Sequence, residues 1–195
     1  MFESASRLLK FFGREAVMQL KIGQKVAYPN QGVCLVEGFK KQSVGASSMR
    51  GYSLRVLSDS STIFVPEANT DTVGIRPLIS SRQCRRLIDT LSEDFQPVSG
   101  DWKTRAREYT EKLRSGDVFQ AADVLKMLTF LSHEKKLSFR EQTLLEKAKF
   151  LIVSEITNTF TTGDMPLESE IVGLVESACR KHISSHPPSI SVAEH

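Results

Sequence analysis

The chain has 195 residues, 40% of them hydrophobic and 25% charged, with a formal net charge of +3. This is the composition of an ordinary globular protein, and it excludes a fibrous or intrinsically disordered chain. No window approaches the roughly 20 apolar residues of a membrane span. So mild a net charge permits binding to nucleic acid without requiring it, and any such reading must rest on local clustering.

The length suffices for one large domain or two small ones, each with a modest core. Cys34, Cys84 and Cys179 are odd in number, far apart and without a C-x-x-C pair. They imply neither a disulfide framework nor a zinc site, and read as small buried apolar residues of a cytoplasmic protein.

Met1 to Val17 mixes Leu8, Leu9, Phe11 and Phe12 with Arg7, Lys10 and Arg14, and lacks the continuous apolar stretch of a secretory signal. It reads as a poorly ordered extension. A short amphipathic helix at a membrane surface, or codons ahead of a start at Met18, are the other readings.

From Leu20 to Leu78 the chain is punctuated by nine glycines and prolines between short β-branched and aromatic runs. Strands are expected near Lys25–Tyr28, Val33–Ser43, Tyr52–Leu57, Thr62–Val65 and Thr72–Arg76. Five such short strands cannot make a useful sandwich, whereas a curled sheet gives them a core and hides its edges. A small Tudor-like or SH3-like β-barrel follows.

After Ser80 helical periodicity takes over. Cys84, Leu87, Ile88 and Leu91 make the stripe of a first helix that stops before Pro97. Phe95 to Asp101 is a loop, and Trp102 opens a second helix ending at Ser115-Gly116. Asp117 caps a third, with Val118, Ala121, Leu125 and Leu128 on one side. Ser138-Phe139-Arg140-Glu141 has the spacing of a capping box. The helix it starts carries Leu144, Leu145, Ala148, Leu151, Ile152 and Ile156, the strongest stripe in the chain, and is expected at the centre of the bundle. A turn at Thr161–Pro166 leads to a last helix with Ile171, Leu174, Val175 and Ala178. The fold class is therefore α+β in two domains: an extension at 1–17, a β-barrel at 18–79, an all-α bundle at 80–182 and a disordered tail at 183–195.

Catalytic chemistry finds little material. His182, His186 and His195 lie at or in the tail, His133 stands alone, and no phosphate-binding loop, dinucleotide fingerprint or H-E-x-x-H motif occurs. The chain reads as a binding protein that is not an enzyme, with no cofactor and no metal.

Two stretches carry a resemblance. Lys21 to Val33, with Lys21, Gly23, Val26, Tyr28, Pro29 and Gly32, resembles the K-x-G-x-x-V-x-Y-P-x-x-G opening shared by CarD-type regulators and the polymerase-interacting domain of the transcription-repair coupling factor. Trp102, Arg105, Arg107, Glu111, Lys112, Leu113, Ser115, Gly116 and Asp117 are similar to the CarD pattern around its tryptophan. Leu137, Ser138, Glu141, Leu145, Ala148 and Glu155 resemble the family's next signature. The resemblance runs in order from Gln19 to Lys181, and favours the stand-alone regulator over the longer coupling factor.

It implies a transcription regulator whose β domain binds the RNA polymerase β subunit by β-augmentation, with Thr62, Ile63, Phe64, Val65 and Pro66 as the contacting edge. Alternation puts Ile63 and Val65 in the core and leaves Phe64 and Pro66 for the partner. The resemblance further implies that Trp102 wedges into the minor groove at the upstream edge of the transcription bubble and stabilises the open promoter complex. Lys103, Arg105, Arg107 and Arg140 would hold phosphates without reading sequence, and the helix N-terminus would add its own attraction. The residues alone read Trp102 differently, because it shares a helix face with Ala106, Tyr109 and Leu113 and so belongs to a core stripe. The sequence departs from the family at Gln42 and Phe64, where some members carry arginine, and at Thr104, Gln142 and Thr143, which are often basic. Weak binding to free DNA, a monomer and no membrane contact are expected. The competing reading is a Tudor-like or SH3-like adaptor that binds a protein and leaves DNA alone.

Overall fold

The computed structural model describes residues 19–44, 47–95, 101–160 and 168–185, and the backbone alone of Val44, Ser47 and Trp102. The expectations for Met1–Val17 and for the last ten residues of the tail lie outside the described residues.

The N-terminal half is one antiparallel sheet of five strands: β1 (Lys25–Tyr28), β2 (Gly32–Val44), β3 (Ser47–Val56), β4 (Thr62–Pro66) and β5 (Arg76–Pro77), in the order β4-β3-β2-β1-β5. Period-2 alternation turns Val26, Cys34, Val36, Tyr52, Leu54, Val56 and Val65 to one core. Val65 at one end of the sheet and Ile75 beside the other belong to that same cluster. The sheet therefore curls, as a Tudor-like fold requires. A β-bulge between Val36 and Gly38 helps it to do so.

The β1–β2 turn follows from its sequence. Gln31 N–H donates to Tyr28 C=O at 3.0 Å, and Asn30 has φ 64°. Proline then asparagine at the two central positions is the chemistry of a type II turn.

The strand expected at Thr72–Arg76 is absent. Thr70–Val73 forms one helical turn (α1), closed by Gly74 at φ 78°, and only Arg76–Pro77 pairs with β1. The threonines and valine favour a strand only when a neighbour is there to receive them. Here the buried Thr70 hydroxyl donates to Glu67 C=O at 3.0 Å and holds the turn, and Pro77 lacks the N–H a longer ladder would need.

The C-terminal half contains α2 (Ser81–Ser92), α3 (Trp102–Arg114), α4 (Val118–Glu134), α5 (Phe139–Thr159) and α6 (Glu168–Ser185). The expected caps form. Ser138 Oγ accepts from Glu141 N–H at 3.3 Å while the Glu141 carboxylate accepts from Ser138 N–H at 2.8 Å, and Asp117 accepts from Phe119 N–H at 2.9 Å. Ser80 and Gln83 form a second capping box, at the start of α2.

Two expectations change. The centre of the bundle is α4, which packs on α2, α3, α5 and α6, while α5 lies between α4 and the sheet. A helix surrounded by others is apolar on most sides, and α4 buries eight residues where α5 buries five. The last helix also continues past His182 to Ser185. His182 is buried there, its Nδ1 2.6 Å from Asp94 and its ring stacked on Phe95.

Candidate functional site

Three regions bear on function: the seam between sheet and bundle, the β4 edge, and the end of the bundle that carries Trp102. The seam is built on the outer face of β1 and β2. Ala27 and Val33, partners across those strands, point away from the barrel core and are buried toward α3, α4 and α5. Arg76 reaches across to the buried Glu155 of α5 with two hydrogen bonds, at 2.5 and 2.7 Å, and donates to Gly116 C=O at 2.9 Å. Glu155 also accepts from Ile79 N–H at 2.9 Å. Ser154 Oγ accepts from Val33 N–H at 3.2 Å.

Two glycines make the approach possible. Gly32 has φ 79°, and a Cβ there would lie 3.0 Å from both the Phe150 ring and Ser154 Oγ. Gly116 has φ 76°, and its Cβ would lie 3.0 Å from Pro29. Pro29 and Gly32 of the opening motif, with Gly116 and Glu155 of the helical signatures, thus meet at one interface. Sequence reasoning quoted all four and missed that they meet, because contacts between residues so far apart leave no local signal.

At the sheet edge, β4 pairs only with β3 among the described strands. Val65 is buried and Ile63 packs against the same core, as alternation requires. Thr62 is exposed, and Phe64 and Pro66 are partly exposed on the other face. The Phe64 ring lies over Gly51, where an added Cβ would come within 2.7 Å of it. Gln42 lies opposite Met49 on the part of the β2–β3 hairpin that neither β1 nor β4 reaches.

On α3 the stripe is as expected: Ala106, Tyr109 and Leu113 are each 3% exposed. Trp102 is the first residue of that helix, and its side chain lies outside the description. Asp101 caps α3, accepting from Lys103 N–H at 2.8 Å, Thr104 N–H at 3.1 Å and the Thr104 hydroxyl at 2.7 Å. The Thr104 hydroxyl and these two N–H donors hold the Asp101 carboxyl below its usual range. This corrects one expectation: the α3 N-terminus already holds a carboxylate, which opposes phosphate there. Thr104 strengthens a cap where a basic side chain would have added charge.

The cationic excess on α3 is smaller than its composition implies. Arg107 pairs with Glu111 at 3.0 Å, and Lys112 lies 3.7 Å from Glu108 and 3.5 Å from Asp123. Lys103 and Arg107 are exposed and Arg105 half-buried. Arg140 is exposed at the second position of α5.

α3 and α5 pack on each other and on α4, and they run the same way, since the chain just after α3 (Gly116) and the C-terminal half of α5 (Phe150, Ser154) both meet the β1–β2 turn. Trp102 stands fourteen residues before Gly116, and Phe139 fifteen before Ser154, both of which touch the sheet. At 1.5 Å per residue both helix starts lie about 20 Å from the seam, at one end of the bundle. Lys103, Arg105 and Arg140 gather there, with Arg107 one turn back. Phe139, which sequence reasoning quoted only as part of a capping box, is 89% exposed at that end.

Among the described residues, no group of three or more His, Cys, Asp or Glu side chains could hold a metal ion. No described helix is long and apolar enough to cross a membrane.

Comparison with known proteins agrees with this architecture. Residues 20–79 match the family model "CarD-like/TRCF RID domain", and residues 86–170 match "CarD, C-terminal domain". The chain is 22% identical over 136 residues to YdeB of Bacillus subtilis (strain 168), which carries a transcription-factor name; the match covers 70% of this chain and 89% of YdeB. It is 33% identical to the 72-residue N-terminal domain of Myxococcus xanthus CarD, solved by NMR in solution, over 32% of this chain and 84% of that one, with a TM-score of 0.27. With a curled β-sheet domain and a helical domain matched in sequence order, the protein belongs to the CarD family of transcription factors.

Proposed function

We propose that this protein binds the RNA polymerase β subunit through the open edge of β4 and stabilises the open promoter complex through the far end of its helical domain. The carrying observation is that a sheet whose β4 edge is open among the described strands and a bundle with a cationic end are joined through a paired, buried seam. Thr62, Phe64 and Pro66 would meet the polymerase strand, with backbone hydrogen bonds supplying a sequence-tolerant grip. Ile63 and Val65 would set the strand's orientation from beneath. Trp102 would press into the minor groove at the upstream edge of the bubble, while Lys103, Arg105, Arg107 and Arg140 hold phosphates. Anchoring raises the effective concentration of that end at the promoter, so weak intrinsic affinity for DNA suffices.

The test is the lifetime of open complexes formed by polymerase holoenzyme on promoter DNA. The wild-type protein lengthens it, Trp102→Ala abolishes most of the gain, and a polymerase β fragment retains both proteins equally. If Trp102→Ala leaves the lifetime unchanged while the β fragment still binds, the wedge is removed from the mechanism; if the wild-type protein itself leaves the lifetime unchanged while the β fragment binds, the protein is an adaptor without direct DNA contact. If the β fragment fails to bind, the anchoring role of β4 is lost.

A further inference from the structure

Phe139 is the most exposed large apolar side chain among the described residues, at 89%. Neither the cap nor the core of α5 needs it. Ser138 and Glu141 satisfy the helix start, and Ala148, Ile152 and Ile156 bury the opposite face. A lysine or glutamate at this position would serve the fold equally well and would not expose an aromatic ring to water.

Its neighbours give the ring a charge context. Lys136 and Arg140 are exposed and have no acidic partner among the described residues, while the nearby Glu141 carboxylate is taken up by Lys135 at 3.0 Å. An aromatic face flanked by unpaired cations fits a base whose own phosphates lie to either side. A paired duplex hides its base faces, so the ligand that fits is single-stranded DNA. A protein partner would need more apolar surface than one ring supplies.

We propose that Phe139 is a second DNA-contacting residue at this end of the bundle, stacking on an unpaired base of the opened promoter while Lys136 and Arg140 hold the adjoining phosphates. The inference rests on the function proposed above and adds a contact with the separated strand to the one at the bubble edge. It places the two contacts on parallel helices at about the same 20 Å from the seam.

Two experiments with the full-length chain and polymerase holoenzyme on promoter DNA test it. In the first, Phe139→Ala and Phe139→Leu shorten the open-complex lifetime about fivefold or more, as loss of a base stack does, and Phe139→Tyr retains it. Binding to holoenzyme without DNA and the midpoint of thermal unfolding stay unchanged. In the second, a photoreactive benzoylphenylalanine at position 139 crosslinks to an unpaired stretch of one strand. A lifetime unchanged in Phe139→Ala but reduced in Trp102→Ala overturns this inference and leaves the proposed function standing. Equal retention by Phe139→Leu, or loss of binding to holoenzyme without DNA, also overturns the stacking contact. A strand crosslink from position 139 with no effect of Trp102→Ala on lifetime supports the contact and removes the wedge.

Discussion

The two ends of the helical domain are built on opposite rules. At the seam every charge is matched: Arg76 and Glu155 satisfy each other, Gly116 C=O and Ile79 N–H take the remaining valences, and glycines let the backbones close up. At the far end Lys136 and Arg140 are exposed without acidic partners among the described residues, and an aromatic ring stands in water. A buried polar contact that is fully paired fixes geometry, and exposed, unpaired charge is available to a ligand. One end holds the molecule's shape so that the other can be aimed.

The largest expected effect breaks the seam. Glu155→Ala leaves the Arg76 guanidinium unanswered and frees Ile79 N–H, and should cost about 3–5 kcal/mol in urea unfolding, as loss of one partner of a buried pair does. Phe139→Ala and Arg140→Ala at the far end should leave the same transition in place. Next comes Gly116→Ala. A side chain at φ 76° costs about 1–2 kcal/mol, and contact with Pro29 adds to it.

Thiol chemistry sharpens the comparison without touching either end. Burial, foremost, pushes all three thiols up to about 11, with Cys34 in the sheet core and Cys84 and Cys179 in the bundle core. None should react in the native state at pH 8. On unfolding, the sheet and bundle thiols should become reactive together in the wild type and separately in Glu155→Ala. That splitting measures how strongly the seam couples the domains.

Acid should reach the far end through Glu141. Burial alone would raise its carboxyl, but the Ser138 N–H, Lys135 and the Ser138 hydroxyl together hold it below the ordinary value of 4.5. A carboxyl depressed in the folded state contributes its stability above that value and loses it as pH falls through the lower, folded one. Stability measured from pH 5 downward should therefore fall less steeply in Glu141→Gln than in the wild type. The smallest effect belongs to Arg107→Ala: its exposed pair with Glu111 spans one helical turn and is worth about 0.3–0.5 kcal/mol.

Where a feature depends on neighbours in sequence, it was legible. The Ser138–Glu141 capping box, the Asp117 cap, the Gly116 stop and the alternation of Ile63 and Val65 all follow from residues within a few positions of each other. The Thr72–Arg76 strand misled because β-branched residues favour a strand only beside a partner, and β1 has room for two residues there. The choice of α5 as the central helix misled for a related reason. A stripe shows that a helix has an apolar face, and leaves open how many neighbours cover the rest of it, as they do on α4.

The candidate site divides in the same way. Lys103, Arg105, Arg107 and Arg140 were visible as cations, yet Asp101 on the α3 terminus and Glu111 on Arg107 change what that charge can attract. Phe139 gave no signal, because an aromatic residue at a helix start is buried or exposed according to what packs above it.

By itself the sequence determined four of the five strands, the helices and the caps that begin several of them, since hydrophobic period and capping chemistry act over one or two turns. It also carried the family motifs in order. Only the tertiary structure decided that Arg76 meets Glu155, that Pro29 and Gly32 face the bundle, and that Phe139 shares an end with Trp102 while nothing among the described residues covers its ring. Those facts depend on distances between segments far apart in the chain, which are set when the cores close.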